Sequence, residues 1–276
     1  MATYKGIQGF SIQNLSADPS NPIEGQVWYN STSNVWKVEE ATAVGAWASG
    51  VSLNTGRYAL GSAGTQTETI AFGGFTTANT GATEEYNGSS WSPSGSLNTS
   101  RRGVSGAGIQ TAGLAIGGYT TANTGATEEY NGSTWANNPT GLSTARRFLG
   151  AAGTQTSALA FGGTTPSTPA DSTEEYDGST WTAGGNLNTA RNGLGGAGTQ
   201  TAALAIGGGP TTGATEEYDG TSWTATTSLN TARSGLAGAG TQSLALAFGG
   251  LTTVVTAATE EWTGAGAAVT KTITVS

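Results

Sequence analysis

The residues able to do chemistry fall into two repeated sets. Ten of the 18 acidic residues stand in five pairs that recur with the repeat: Glu84-Glu85, Glu128-Glu129, Glu174-Glu175, Glu216-Glu217 and Glu260-Glu261. Five arginines, Arg57, Arg101, Arg146, Arg191 and Arg233, each end a Leu-x-Thr-x-Arg motif. Paired carboxylates can cleave glycosidic bonds, clustered ones can hold calcium, and a ring of arginines can hold an anion. Adjacent residues of a strand point to opposite faces, so one Glu-Glu pair cannot act jointly on one bond. Equivalent glutamates of a repeat also share one environment, whereas acid–base catalysis needs two carboxylates of different pKa. The pairs lack the spacing of a calcium loop. The off-repeat acids Glu68 and Asp171 are too few to nominate a catalytic pair. No enzyme, catalytic residue, metal or cofactor is therefore expected. Two readings of the arginines stay open: a five-membered ring at a channel mouth that binds an anionic ligand, or an Arg–Glu network tying neighbouring repeats.

Composition narrows the field further. The 276 residues contain no cysteine and no histidine, which excludes disulfides, thiol nucleophiles, Ser-His-Asp triads and nearly all zinc and copper sites. A net charge of −8 argues against nucleic acid and anionic membranes as partners, because both need clustered Lys and Arg. No apolar run approaches the roughly 20 residues of a membrane helix, and the first ten residues do not read as a signal peptide. Neither membrane insertion nor signal-directed export is expected.

The elements that must position these residues repeat. Glycine pairs follow an apolar run at Gly73-Gly74, Gly117-Gly118, Gly162-Gly163, Gly207-Gly208 and Gly249-Gly250, in steps of 44, 45, 45 and 42 residues. Each is followed by Glu-Glu-aromatic, with Tyr86, Tyr130, Tyr176, Tyr218 and Trp262 as the aromatics. Trp91, Trp135, Trp181 and Trp223 lie five residues after the tyrosines, and Trp47 stands in the same phase before Arg57. Each unit reads as four short strands: a Gly/Ala-rich strand after the arginine, the apolar run, the strand ending in Glu-Glu-Tyr, and a strand opened by tryptophan. Asn87-Gly88, Asn131-Gly132, Asp177-Gly178 and Asp219-Gly220 are hairpin signals suited to positive φ. No 3.6-residue apolar period is present, so helix content is expected to be low.

A repeated four-stranded unit of this length is a β-propeller blade. The expectation is an all-β propeller of about five blades over residues 39–276, with a solenoid or trimeric β-fibre as alternatives. The fifth unit lacks its own downstream tryptophan, so strands around Glu40–Trp47 and Ala267–Ser276 are expected to close the ring; a sixth blade is the alternative. The glycine pair, aromatic, tryptophan and following arginine resemble the kelch repeat. The repeated Trp and Tyr pack blade against blade or stack on sugar rings, and packing is preferred. The segment between glycine pair and Glu-Glu varies in length and sequence while the hairpins do not, which marks that face as the candidate binding face.

Residues 1–38 precede the repeat. Two short strands with Trp28, Tyr29 and Trp36 read as a hairpin around Ser31-Thr32-Ser33, either docking on another chain or capping the propeller. The run from Asn21 to Lys37 resembles a segment frequent in bacteriophage virion proteins, notably tail-fibre-like ones. That resemblance implies a virion structural protein, a homo-oligomer partnered by other virion proteins, whose propeller contacts a host-surface glycan. A soluble multivalent lectin is the second reading and a polysaccharide-cleaving propeller the third.

Overall fold

The structure, a computed structural model, describes residues 13–17, 27–33, 35–38 and 50–264. The chain divides into two compact units, Met1–Ser49 and Gly50–Ser276. Trp47 and the strands expected at 40–47 and 267–276 lie outside the described residues.

In the first unit β1 (Gln13–Leu15), β2 (Val27–Asn30) and β3 (Val35–Val38) form one sheet in the order β1-β2-β3. The expected hairpin is present, pairing Tyr29 with Trp36 and Trp28 with Lys37. The Asn30 side chain closes its turn by accepting the amides of Thr32 and Ser33. The parallel strand β1, pairing Gln13 with Trp28, was not foreseen. One expectation is corrected here: Trp28 is only 4% exposed and Tyr29 half-buried, so Trp28 is not a free docking aromatic.

The second unit is a β-propeller of five antiparallel blades, with no helix among the described residues. Blade 1 is β4 (Gly61–Gly64), β5 (Thr69–Phe72), β6 (Thr83–Tyr86) and β7 (Trp91–Ser94). Blade 2 is β8 (Ser105–Ile109), β9 (Ala112–Ile116), β10 (Thr127–Tyr130) and β11 (Trp135–Asn137). Blade 3 is β12 (Gly150–Gly153), β13 (Ala158–Phe161), β14 (Thr173–Tyr176) and β15 (Trp181–Ala183). Blade 4 is β16 (Gly195–Gly198), β17 (Ala203–Gly208), β18 (Thr212–Tyr218) and β19 (Trp223–Thr226). Blade 5 shows three strands among the described residues: β20 (Ala237–Gly240), β21 (Leu244–Phe248) and β22 (Thr259–Thr263). Strand order within every blade follows the chain.

The second strand explains how blades stack. It alternates small and large, as in Ala158-Leu159-Ala160-Phe161. Ala158 and Ala160 receive Leu114 and Ile116 of the blade before, while Leu159 and Phe161 press on Ala203 and Ala205 of the blade after. Blades 1 and 2, and blades 4 and 5, meet in the same way. Burying each such side chain contributes about 1.5–3 kcal/mol. The inner strands approach so closely that glycine is required: a Cβ on Gly106 would stand 2.2 Å from the Ser62 carbonyl oxygen, and one on Gly196 2.3 Å from that of Ala151.

Among the described residues the stack has a free end. The large residues of the second strand are buried in blades 1 to 4, yet Leu246 of blade 5 is 36% exposed and its neighbour Leu244 56%. Leu204→Ala is accordingly expected to cost about 2–5 kcal/mol, and the equivalent Leu246→Ala less than half of that. Urea unfolding of the two variants checks this; equal losses would mean that the face of blade 5 is covered in solution.

Candidate functional site

The five repeated arginines do not line the channel mouth. Their side chains are fully buried, and each forms an ion pair with the first glutamate of its own blade: Arg57–Glu84 at 3.0 Å, Arg101–Glu128 at 2.5 Å, Arg146–Glu174 and Arg191–Glu216 at 2.7 Å, and Arg233–Glu260 at 2.9 Å. The same carboxylates accept the backbone amides of Asn54, Asn98, Ser143, Asn188 and Asn230. These residues lie in the segment that leads into each blade's inner strand. The guanidiniums also donate to strand and loop carbonyls, such as Gly162 and Ser172 for Arg146. The pair therefore locks each linker onto its blade, and the network is within a blade rather than between neighbours. Burial lowers the pKa of Arg57, Arg101, Arg146 and Arg191, opposed by the paired glutamate.

The second glutamates carry the contacts between blades. Glu85 accepts the Tyr130 hydroxyl, Glu129 that of Tyr176, and Glu175 that of Tyr218 at 2.5 Å. The indole N–H groups of Trp135, Trp181 and Trp223 each donate at 2.9 Å to a threonine one blade back: Thr83, Thr127 and Thr173. Gln110, Gln155, Gln200 and Gln242 reach back to the carbonyls of Tyr86, Tyr130, Tyr176 and Tyr218, each at 2.6 Å. Tyr86 and Trp91, in blade 1, are half-buried; their rings lie 5.0 Å apart and Trp91 donates to the Val51 carbonyl. Trp262, at the tyrosine position of blade 5, donates to the Gln242 carbonyl, while Glu217 and Glu261 stand on the face away from blade 4's tyrosine contact. The repeated aromatics thus serve packing. Among the described residues no group of three or more acidic side chains is placed to hold a metal ion.

A cavity of about 450 Å³ runs along the inner strands and is lined by all five blades. At one mouth stand Ala59, Gly103, Phe148, Gly193 and Gly235, all with φ between 53° and 64°. Their backbones are chained: Gly103 donates to Ala59, Phe148 to Gly103, Gly193 to Phe148, and Gly235 to Gly193, at 2.7–2.9 Å. Among the described residues no hydrogen bond continues from Gly235 to Ala59. Glycine suits this left-handed position; an L-residue there costs about 1–2 kcal/mol. Phe148, bulky and 40% exposed, holds it nonetheless.

The variable loops flank this mouth: Tyr58 pairs with Phe75, Arg102 with Tyr119, and Arg147 with Thr164. Beside them lies a feature that sequence reasoning missed. The Arg102 guanidinium is 4.8 Å from the ring centres of both Phe75 and Tyr119. Arg147 is 4.8 Å from Tyr119 and 5.9 Å from Phe148. Tyr58 meets Phe75 at 5.5 Å. The available signal was the doubling in Arg101-Arg102 and Arg146-Arg147, which two of the five units carry.

No family model matches the chain, and no curated protein matches it. The kelch-like and tail-fibre-like resemblances rest on the chain's own residues.

Two outcomes follow from the pairs. Glu174→Gln leaves Arg146 buried without its counter-charge and is expected to cost about 3–5 kcal/mol, read by chemical denaturation; a loss under about 1 kcal/mol would contradict the locking role. Burial, then the Glu175 hydrogen bond, pushes Tyr218 from 10.0 up to about 12. Burial and Glu85 do the same to Tyr130, also to about 12. Between about pH 10 and 12 the folded state keeps protons that the unfolded chain has lost, so stability falls as pH rises through that window. Tyr218→Phe is expected to make that fall shallower, measured by urea midpoints across the window.

Proposed function

We propose that the chain is a non-catalytic structural protein of a bacteriophage virion, part of a tail fibre or another surface appendage, whose propeller presents its loop-bearing face to the host surface. The observation that carries this reading is the division of labour in the repeat. The recurring carboxylates, arginines, tryptophans and tyrosines of the propeller go into blade integrity and blade stacking, and the variation is left to loops around one channel mouth. A scaffold of that kind suits recognition better than turnover, because eight of its ten repeated glutamates are engaged in structural bonds. The virion role itself leans on the tail-fibre-like run from Asn21 to Lys37. Other virion proteins and further copies of this chain are the partners proposed for it, with Tyr29 and Trp36 of the N-terminal hairpin as contact residues. Among the described residues no helix is long and apolar enough to cross a membrane.

Mass spectrometry of purified particles with immunogold microscopy tests the reading. The expected result is this chain at a defined copy number on tail or capsid. Its absence from intact particles, with glycan binding by the isolated protein, would favour the soluble lectin instead; turnover of a polysaccharide, lost on changing one glutamate, would establish an enzyme.

A further inference from the structure

We propose that the aromatic–arginine ladder at the channel mouth is a binding site for an acidic glycan, with Arg102 and Arg147 taking the carboxylate and the exposed rings of Tyr58 and Phe148 taking the sugar face. The inference deepens the recognition reading and rests on it only for the identity of the host surface.

Charge is the first argument. The propeller lies in a chain of net charge −8, and its five framework arginines are neutralised internally. Among the described residues from 50 to 264, the two remaining cations, Arg102 and Arg147, have no carboxylate partner. They occur side by side, sharing the Tyr119 ring. Each spends one Nη1 donor on a neutral side chain, Arg102 on Asn79 at 3.3 Å and Arg147 on Asn123 at 2.8 Å. Their other donors remain for an oxyanion, and stacking on the rings holds both forks in place before a ligand arrives.

Asymmetry is the second. Stacking of blades does not need the ladder, because blades 4 and 5 place Asn192, Ser234, Gly209 and Leu251 at the equivalent positions and still pack. A repeat this regular departs from itself on one sector of one rim. The departure includes Phe148, an aromatic held in a left-handed backbone conformation where three of its four equivalents are glycine. Strain of this kind concentrates at functional sites. A guanidinium pair flanked by open rings fits a carboxylated sugar, whose apolar face stacks while its carboxylate is held by a fork.

The test is titration calorimetry of the full chain with sialyllactose and with oligogalacturonate, against lactose, the carboxyl-reduced oligosaccharide and inorganic phosphate. The expected result is binding of a carboxylated probe, weakened at least about tenfold by carboxyl reduction, by the double change Arg102→Gln with Arg147→Gln, and by raised salt. Should the double variant melt lower than the parent, the carboxyl-reduced probe decides the case alone, since it leaves the protein intact. Failure of both carboxylated probes to bind at millimolar concentration, equal binding by the double variant, or phosphate binding as tightly as the sugars would overturn the proposal. Particles lacking the chain would end the virion reading and leave this result untouched; absence of binding would leave the virion reading standing.

Discussion

Every blade depends on one guanidinium sealed inside it. The arginine that ends the Leu-x-Thr-x-Arg motif is cut off from water and held by a glutamate of the third strand, which also accepts an amide from the incoming linker. Neither charge is tolerable in that place alone, so the pair makes linker and blade fold together. That constraint fixes where the inner strand starts. It thereby fixes the channel rim, the loop face beside it, and the depth at which the next blade can dock.

Stacking is directional. Each blade offers large side chains on one face and alanines on the other, so blades assemble head to tail. Polar contacts repeat the direction: tyrosine and tryptophan reach one blade back, as does the glutamine of the first turn. A stack of this kind is quasi-one-dimensional, with stability accumulating interface by interface. It also leaves a consequence at the end of the series, where Leu244 and Leu246 of blade 5 stay exposed and Trp262 stands in for the bridging tyrosine.

Much of this architecture was legible in the residues because it is local and recurs. The glycine pairs, Glu-Glu-Tyr and the Asn-Gly and Asp-Gly turns each encode one short element, and their period encodes the blade. The depth of the arginines was not legible, since a residue type in a strand pattern does not state whether its face meets solvent or a neighbouring blade. Arg–Glu pairing was one of two open readings, and the geometry places it inside single blades. The rim ladder escaped for the opposite reason. Reading by repeat gives weight to what recurs, while Arg102, Arg147, Tyr119 and Phe148 are departures from the repeat. Their neighbourhood also arises from loops of adjacent blades, about 40 residues apart in the chain.

The division between sealed and available arginines is the centre of this account, and phenylglyoxal modification of the native protein with mass-spectrometric mapping tests it directly. All seven arginines of the chain can be followed in one digest. The account predicts rapid modification of Arg102 and Arg147 and protection of Arg57, Arg101, Arg146, Arg191 and Arg233 until the protein is unfolded. Modification of the five at the rate of the two, in protein that remains folded, would contradict it.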